Sequence, residues 1–291
     1  MFLITGANGA LFGRPVLDRL RQLAPDTDIV AGTRDPDSAP DLAQTGVAVR
    51  RVDFDDSASL KSAFAGVKAA LINGTNYGTP ADRRGGQHAA AIRAATEAGV
   101  ERIVYTSWPD PDRYPLPLMA DFANSEALLR KLSPGATILR TTYGLAQAVA
   151  RDVTTAVASG TLSVPAAQAR TAPAHIDDLA EATARVLALA TDEHRGKLYT
   201  LTAGDSIDWA DLARLASTIG GIPVEYQSIS DDQFTSTATT QGVPADLAEM
   251  LLGVYRAFRA GWTGTPTGDL ATILRRTPRP ALDAVSAAVT S

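Results

Sequence analysis

Met1-Phe2-Leu3-Ile4-Thr5-Gly6-Ala7-Asn8-Gly9-Ala10-Leu11-Phe12-Gly13-Arg14-Pro15 opens the chain and decides its fold. An apolar strand runs into three spaced glycines and then into a helical pattern. Glycine allows a tight turn and close backbone approach, and the helix that follows points its first N–H groups forward. Strand, glycine turn and helix in that order form a cradle for the diphosphate of a dinucleotide. Its expected members are Thr5, Gly6, Asn8, Gly9, Ala10, Leu11 and Phe12; a plain glycine-rich turn is the competing reading. The glycines read G-x-x-G-x-x-x-G, one residue longer than the common G-x-x-G-x-x-G. Proline sits comfortably in a helix's first turn, where its missing N–H has no partner anyway. Pro15 therefore predicts a helix starting between Phe12 and Arg14, with the extra residue in the loop before it.

Working outward, strand and helix patterns alternate. Strands are predicted over 28–33, 47–52, 69–73, 102–106 and 136–140, with helices over 14–23, 57–64, 87–98 and 120–132 between them. Gly99 stands where a helix C-cap belongs. Such alternation implies an α/β fold, a Rossmann-type doubly wound parallel sheet with right-handed crossovers. After residue 140 the rhythm turns irregular. Residues 170–176 read as extended, Asp177-Asp178 open a helix over 179–190, and 197–201 is a strand. Ser206 is the expected N-cap of a helix starting near Trp209. The organisation expected is a nucleotide-binding domain over 1–140. In 141–291, some segments complete the sheet and others build a smaller, mostly helical substrate cap.

Composition narrows the function. Of the 291 residues, 45% are hydrophobic and 20% charged, an ordinary globular balance, and the net charge is −5. An acidic chain carries no electrostatic footprint for nucleic acid, so direct nucleic-acid binding is not expected. No apolar run approaches the roughly 18 residues needed to span a bilayer, and no targeting segment is expected before the first strand. A soluble cytoplasmic protein is expected. With no cysteine and three scattered histidines, neither a thiolate nucleophile nor a metal centre is expected.

Six segments point together to one family: TGANGALFG (5–13), GTRDPDSA (32–39), VDFDDSASLKSAFAGVKA (52–69), AAIRAATEAGVERIVYTS (90–107), ATILRTTY (136–143) and AHIDDLAEATARVL (174–187). In this order and spacing they resemble the NmrA-like atypical short-chain dehydrogenase/reductases. Within that group the likeness is to the NAD(P)H:quinone oxidoreductase type 2-like proteins, and it covers nearly the whole chain. The resemblance implies NADP(H) binding and a cleft that receives a small apolar or aromatic substrate or a regulatory partner. It also implies that Asp53 and Phe54 flank the adenine, and that Arg84 and Gln87 support the cofactor. Each has a bland alternative: a helix cap, a core ring or a solvated helix face.

Arg34 follows the second strand, 21 residues after Gly13. An acidic residue there would bind the ribose hydroxyls of NADH, whereas a guanidinium pairs with the 2′-phosphate of NADPH. NADPH is therefore expected over NADH, with Asp35 as the complication and a solvated arginine as the alternative. Asn73, Gly74 and Thr75 end the fourth strand, where the backbone would pass the nicotinamide ribose.

Catalytic groups are harder to assign. None of the seven tyrosines is followed four residues on by lysine, the pair that ordinary short-chain dehydrogenases use. Ser107 stands at the usual serine position and Tyr143 is a second weak candidate. Ser107 has the alternative of a strand-end hydroxyl bonding backbone, and it also borders the cofactor site. The histidine and glutamate that quinone reductase-like relatives carry in the next helix align with Phe122 and Asn124. Hydride chemistry belongs to the nicotinamide, so the protein need supply only position and a dry cleft. A quinone becomes an aromatic hydroquinone on reduction and can take protons from water. Trp108, Tyr114, Phe122 and Tyr143 are the expected aromatic wall for the substrate, or plain packing. Three functions stay open: an NADPH-dependent reductase of quinones or related conjugated carbonyls, a non-catalytic NADP-binding redox-sensing regulator, and a biosynthetic tailoring reductase or isomerase. A homodimer is one open assembly state.

Overall fold

The computed structural model describes residues 1–74, 79, 81–114, 116–189 and 192–290. The chain runs β1 (Phe2–Ile4), α1 (Gly13–Leu23), β2 (Ile29–Thr33), α2 (Pro40–Gln44), β3 (Ala48–Arg51), α3 (Ser57–Phe64), β4 (Ala69–Ile72), α4 (Ala81–Glu97), β5 (Arg102–Ser107), α5 (Pro117–Leu132) and β6 (Thr137–Thr141). It continues through α6 (Leu145–Ser159), β7 (Thr161–Val164), β8 (Arg170–Thr171), α7 (Ile176–Ala188), β9 (Leu198–Leu201), β10 (Ile207–Asp208) and α8 (Trp209–Gly220). It ends with β11 (Glu225–Ser228), α9 (Asp231–Thr240), α10 (Ala245–Arg259), α11 (Asp269–Leu274) and α12 (Ala281–Thr290). No helix among the described residues is long and apolar enough to cross a membrane.

The chain forms two compact units. The first takes in Met1–Thr141, Ile176–Leu201 and Thr272–Arg275. It holds a seven-stranded sheet of order β3-β2-β1-β4-β5-β6-β9, parallel throughout. This is the doubly wound Rossmann-type architecture. Its central strands are buried on both faces, which is why they read as unbroken apolar runs: Phe2–Ile4, Ile29–Thr33 and Ala69–Ile72 are buried at every position. Helix α1 packs on α7, while α3, α4 and α5 pack side by side. Right-handed crossovers put these two groups on opposite faces. Val16, Leu17 and Leu20 of α1 recur at helical spacing and are fully covered, each contributing roughly 1.5–3 kcal/mol through burial. The chain leaves β1 toward β2 and β3, then returns to β4. The strand order therefore reverses between β1 and β4, and their C-terminal ends flank the crevice where open α/β sheets bind ligands.

The second unit comprises Thr142–His175, Thr202–Ala271 and Arg276–Ser291. Two small sheets, β7 with β11 and β8 with β10, accompany α6, which packs on α8 and α12. Trp209, Tyr255, Phe258 and Trp262 pack along its core, with Trp209 and Phe258 centroids 5.1 Å apart and Phe258 stacked on Trp262 at 5.4 Å.

Several expected boundaries shift. Helix α4 begins at Ala81 rather than Gln87 and carries Gly85 and Gly86 inside it. A Cβ at Gly85 would lie 2.9 Å from an Asp121 carboxylate oxygen, so glycine admits that carboxylate beside Arg84. Asp177 and Asp178 fall within the first turn of α7, where the helix dipole favours negative charge. The N-cap of α8 is Asp208, not Ser206. Asp208 accepts from the Asp211 amide and Asp211 accepts from that of Asp208, both at 2.9 Å, a reciprocal pair that a lone serine cannot match. The Ser206 hydroxyl accepts from Arg170 instead.

Candidate functional site

The turn after β1 is built on its glycines. Gly6 adopts φ +65°, and its carbonyl accepts from the Gly9 amide at 3.0 Å. The Gly9 carbonyl accepts from Phe12 (3.2 Å) and Arg14 (3.0 Å), and this closes the lengthened loop onto α1, whose first residue is Gly13. A Cβ at Gly13 would lie 2.0 Å from the Gly6 carbonyl oxygen, so any other residue would push the helix off the loop. The amides of Asn8, Ala10 and Leu11 meet no acceptor among the described residues. Asn8, Gly9 and Ala10 are exposed and Leu11 is half-buried, whereas Phe12 is a core residue.

Three strand ends are tied together beside this loop. The Thr5 hydroxyl accepts from the Asn73 amide, and the Thr106 hydroxyl donates to the Asn73 side-chain oxygen and accepts from the Gly74 amide, each at 2.9 Å. Thr5, Gly6, Asn73 and Gly74 thus meet, with a Cβ at Gly6 falling 3.6 Å from Asn73 Nδ2. Thr106, which the sequence did not single out, is the hinge of this network. Thr75 lies outside the described residues.

Arg34 is exposed at the end of β2, and its charge acts on the Asp55 carboxylate. Asp35 does not turn inward; its carboxylate accepts from the Asp37 amide at 3.1 Å and stiffens its own turn. Gly32, inside β2, is a further tight position, since a Cβ there would lie 2.6 Å from Val52 and 2.9 Å from the Ile4 carbonyl. Asp53 accepts from Arg51 (2.8 Å) and from the Asp55 amide (3.1 Å), while Phe54 is half-buried. The cap of α3 is Asp56, which accepts from the Ala58 and Ser59 amides.

Arg84 and Gln87 are not on a solvated helix face. Arg84 is 2% exposed, pairs with Asp121 at 2.9 Å and donates to the Thr79 carbonyl. Gln87 donates to Asp55 at 2.7 Å, and Arg83 bonds the same carboxylate at 2.6 Å. Those bonds, Arg83 foremost, hold the Asp55 carboxyl below its usual range. The buried Gln87 Oε1 meets no partner among the described residues. The cradle that a Cβ would fill, the three loop amides and this orphaned acceptor together fit a bound dinucleotide, whose phosphates accept and whose adenine amine and ribose hydroxyls donate.

Past Gly74, His88 is fully buried. Its Nδ1 lies 3.0 Å from the Tyr105 hydroxyl and 3.3 Å from that of Ser125. Burial, with the nearby Arg84 charge, pulls its pKa down to about 4, so the ring is neutral. Phe122 packs on His88 (5.3 Å) and Trp108 (6.4 Å). Trp108 and Phe122 therefore meet, Tyr114 is buried on the β5–α5 connection beneath Arg113, and Tyr143 belongs to the second unit. Ser107 does not bond backbone; its hydroxyl donates to Glu126 Oε1 at 2.7 Å.

The model of the NmrA-like family matches residues 1–264. Quinone oxidoreductase 2 of Escherichia coli (strain K12) is 37% identical over 255 residues, covering 86% of this chain and 85% of that protein. The crystal structure of the Escherichia coli NADPH-dependent quinone oxidoreductase complexed with NADPH matches 99% of both chains, at 31% identity and TM-score 0.87. Citrobacter sp. triphenylmethane reductase complexed with NADP(H) gives TM-score 0.87 at 28% identity, over 99% of this chain and 100% of that one.

Proposed function

The chain belongs to the NmrA-like family and is an NAD(P)H-dependent oxidoreductase, and we propose that it reduces a quinone or a related conjugated carbonyl at the expense of NADPH. One observation carries the nucleotide half of this reading: Gly13 closes α1 onto Gly6, and the Asn8, Ala10 and Leu11 amides meet no acceptor among the described residues. Those amides would hold the diphosphate and the Arg34 guanidinium the 2′-phosphate. Asp53 and Phe54 would border the adenine, with Gln87 Oε1 as an acceptor nearby. The Asn73–Gly74 strand end would seat the nicotinamide ribose. When bound, NADPH supplies the hydride.

The acceptor half rests on chemistry and likeness. The relatives named above are a quinone oxidoreductase and a triphenylmethane dye reductase, both named for conjugated substrates. Trp108 and Phe122, both buried with centroids 6.4 Å apart, would supply the matching rings at its wall. The Ser107 proton is committed to Glu126, and no tyrosine has a lysine four residues on. An acceptor whose oxygens take protons from water suits such a site; an alcohol, which needs a base, does not. The same shortage of proton donors favours the second reading, a non-catalytic NADP-binding regulator. Purified protein mixed with NADPH and a panel of benzoquinones and naphthoquinones separates the two. Loss of nicotinamide absorbance with at least one quinone is expected. Tight NADPH binding with no turnover on any of them would favour the regulator.

A further inference from the structure

A buried charged cluster at the end of β5 takes no part in the chemistry above. Glu126, on α5, is 1% exposed, yet its carboxylate is fully partnered. Ser107 donates to Oε1 at 2.7 Å, and Arg130 donates to Oε2 at 2.9 Å. Arg140 of β6 lays its fork across both oxygens, Nε to Oε1 and Nη2 to Oε2, each at 2.9 Å. This planar, two-point grip fixes the guanidinium in orientation as well as place. Its remaining nitrogen, Nη1, reaches outward to Asp110 Oδ1 at 3.2 Å.

The φ of Asp110 is +45°, in the left-handed region that, glycine apart, Asn and Asp visit more readily than other residues. Its carbonyl closes a turn with the Arg113 amide at 3.1 Å. This turn lies in the β5–α5 connection, between Trp108 and Tyr114. The partly exposed Arg140–Asp110 arm adds little to stability, and Glu126 is satisfied without it. What the arm does fix is conformation: a guanidinium clamped on a buried carboxylate cannot follow a moving loop, so the loop must conform to it.

We propose that Arg140 is a positioning residue that sets the β5–α5 connection through Asp110 and so presets the Trp108 face for a flat acceptor. The proposal rests on the reading of Trp108 as part of the acceptor wall. A preset wall is not ordered at the moment of binding, so the brace acts on acceptor affinity rather than on hydride transfer.

Asp110→Gly is the direct test, because glycine accepts the positive φ while the carboxylate is lost, and Asp110→Asn controls for the backbone freedom that glycine adds. With a naphthoquinone as acceptor, KM is expected to rise about tenfold, while kcat and the NADPH Kd stay within about twofold. Asp110→Asn keeps an oxygen for Arg140 and is expected to recover most of the loss. Fluorine NMR of protein labelled with 5-fluorotryptophan gives a readout independent of turnover, with the Trp108 line assigned from Trp108→Phe. That line is expected to shift or broaden in Asp110→Gly. An unchanged Trp108 line together with an unchanged KM would overturn the brace. Absence of turnover by the unmutated protein would instead sink the quinone reading, and the Trp108 line alone would then decide the brace.

Discussion

Gly13 concentrates the logic of the site in one missing methyl group. With a Cβ 2.0 Å from the Gly6 carbonyl oxygen, Gly13→Ala must part the helix from the loop. Overpacking of this kind costs about 1–3 kcal/mol, read as a lower urea midpoint, and NADPH affinity should fall with it. An unchanged affinity would mean that the loop amides do not hold the phosphates. Arg34 tests the other end of the nucleotide. Arg34→Glu should weaken NADPH by about 1–3 kcal/mol and NADH far less, as two calorimetric titrations would show. Equal losses would remove Arg34 from the 2′-phosphate. Residues at this scale were unevenly legible. Gly6, Gly9 and Gly13 announced themselves by spacing. Gly32 carried a readable signal, a lone glycine inside a strand, which marks close backbone approach. Glu126 carried none, because only folding brings its carboxylate to Ser107 and Arg140.

Among the elements, α4 and α6 each bury an ionisable group, and the two respond to pH with opposite sign. His88 on α4 has a pKa of about 4, against 6.5 for a free histidine. Between those values the unfolded chain takes up the proton and the folded chain does not. The stability linked to His88 is therefore complete above pH 6.5 and lost as pH falls through 4, by about 3 kcal/mol in all. His88→Gln should flatten that decline in urea midpoints between pH 7 and pH 4.5. Asp152 on α6 accepts from Trp209 Nε1 and the Tyr255 hydroxyl, both at 2.7 Å, with no cation in either bond. Burial raises its pKa to about 6, although the two donors pull it down. Here the folded chain holds the proton more tightly than the unfolded one. Its stabilisation is present below pH 3.8 and lost as pH rises through 6. Relative to the unmutated protein, Asp152→Asn should gain about 2–3 kcal/mol between pH 4 and pH 7. A constant difference would show that the carboxyl does not titrate there. The elements themselves were largely readable, since apolar runs and helical spacing come from burial. Their ends were less so: α4 starts at Ala81 and runs through Gly85 and Gly86, residues that disfavour a helix, and the cap of α8 belongs to the better-paired Asp208.

At the scale of the molecule, the parallel sheet does one thing for function: it reverses its strand order between β1 and β4 and gathers Thr5, Asn73, Gly74 and Thr106 at that point. The β-α alternation made this legible, because right-handed crossovers leave few ways to wind such a sheet. The return of residues 176–201 to the first unit, as α7 and the edge strand β9, is set by packing on α1 and pairing with β6, contacts between distant parts of the chain. Everything proposed for the acceptor depends on a nucleotide lying at the switch point. Isothermal titration of the folded protein with NADPH and with NADH tests this most directly. Saturable one-site binding of NADPH, tighter than that of NADH, is expected; heats of dilution alone for both nucleotides, up to millimolar concentration, would contradict it.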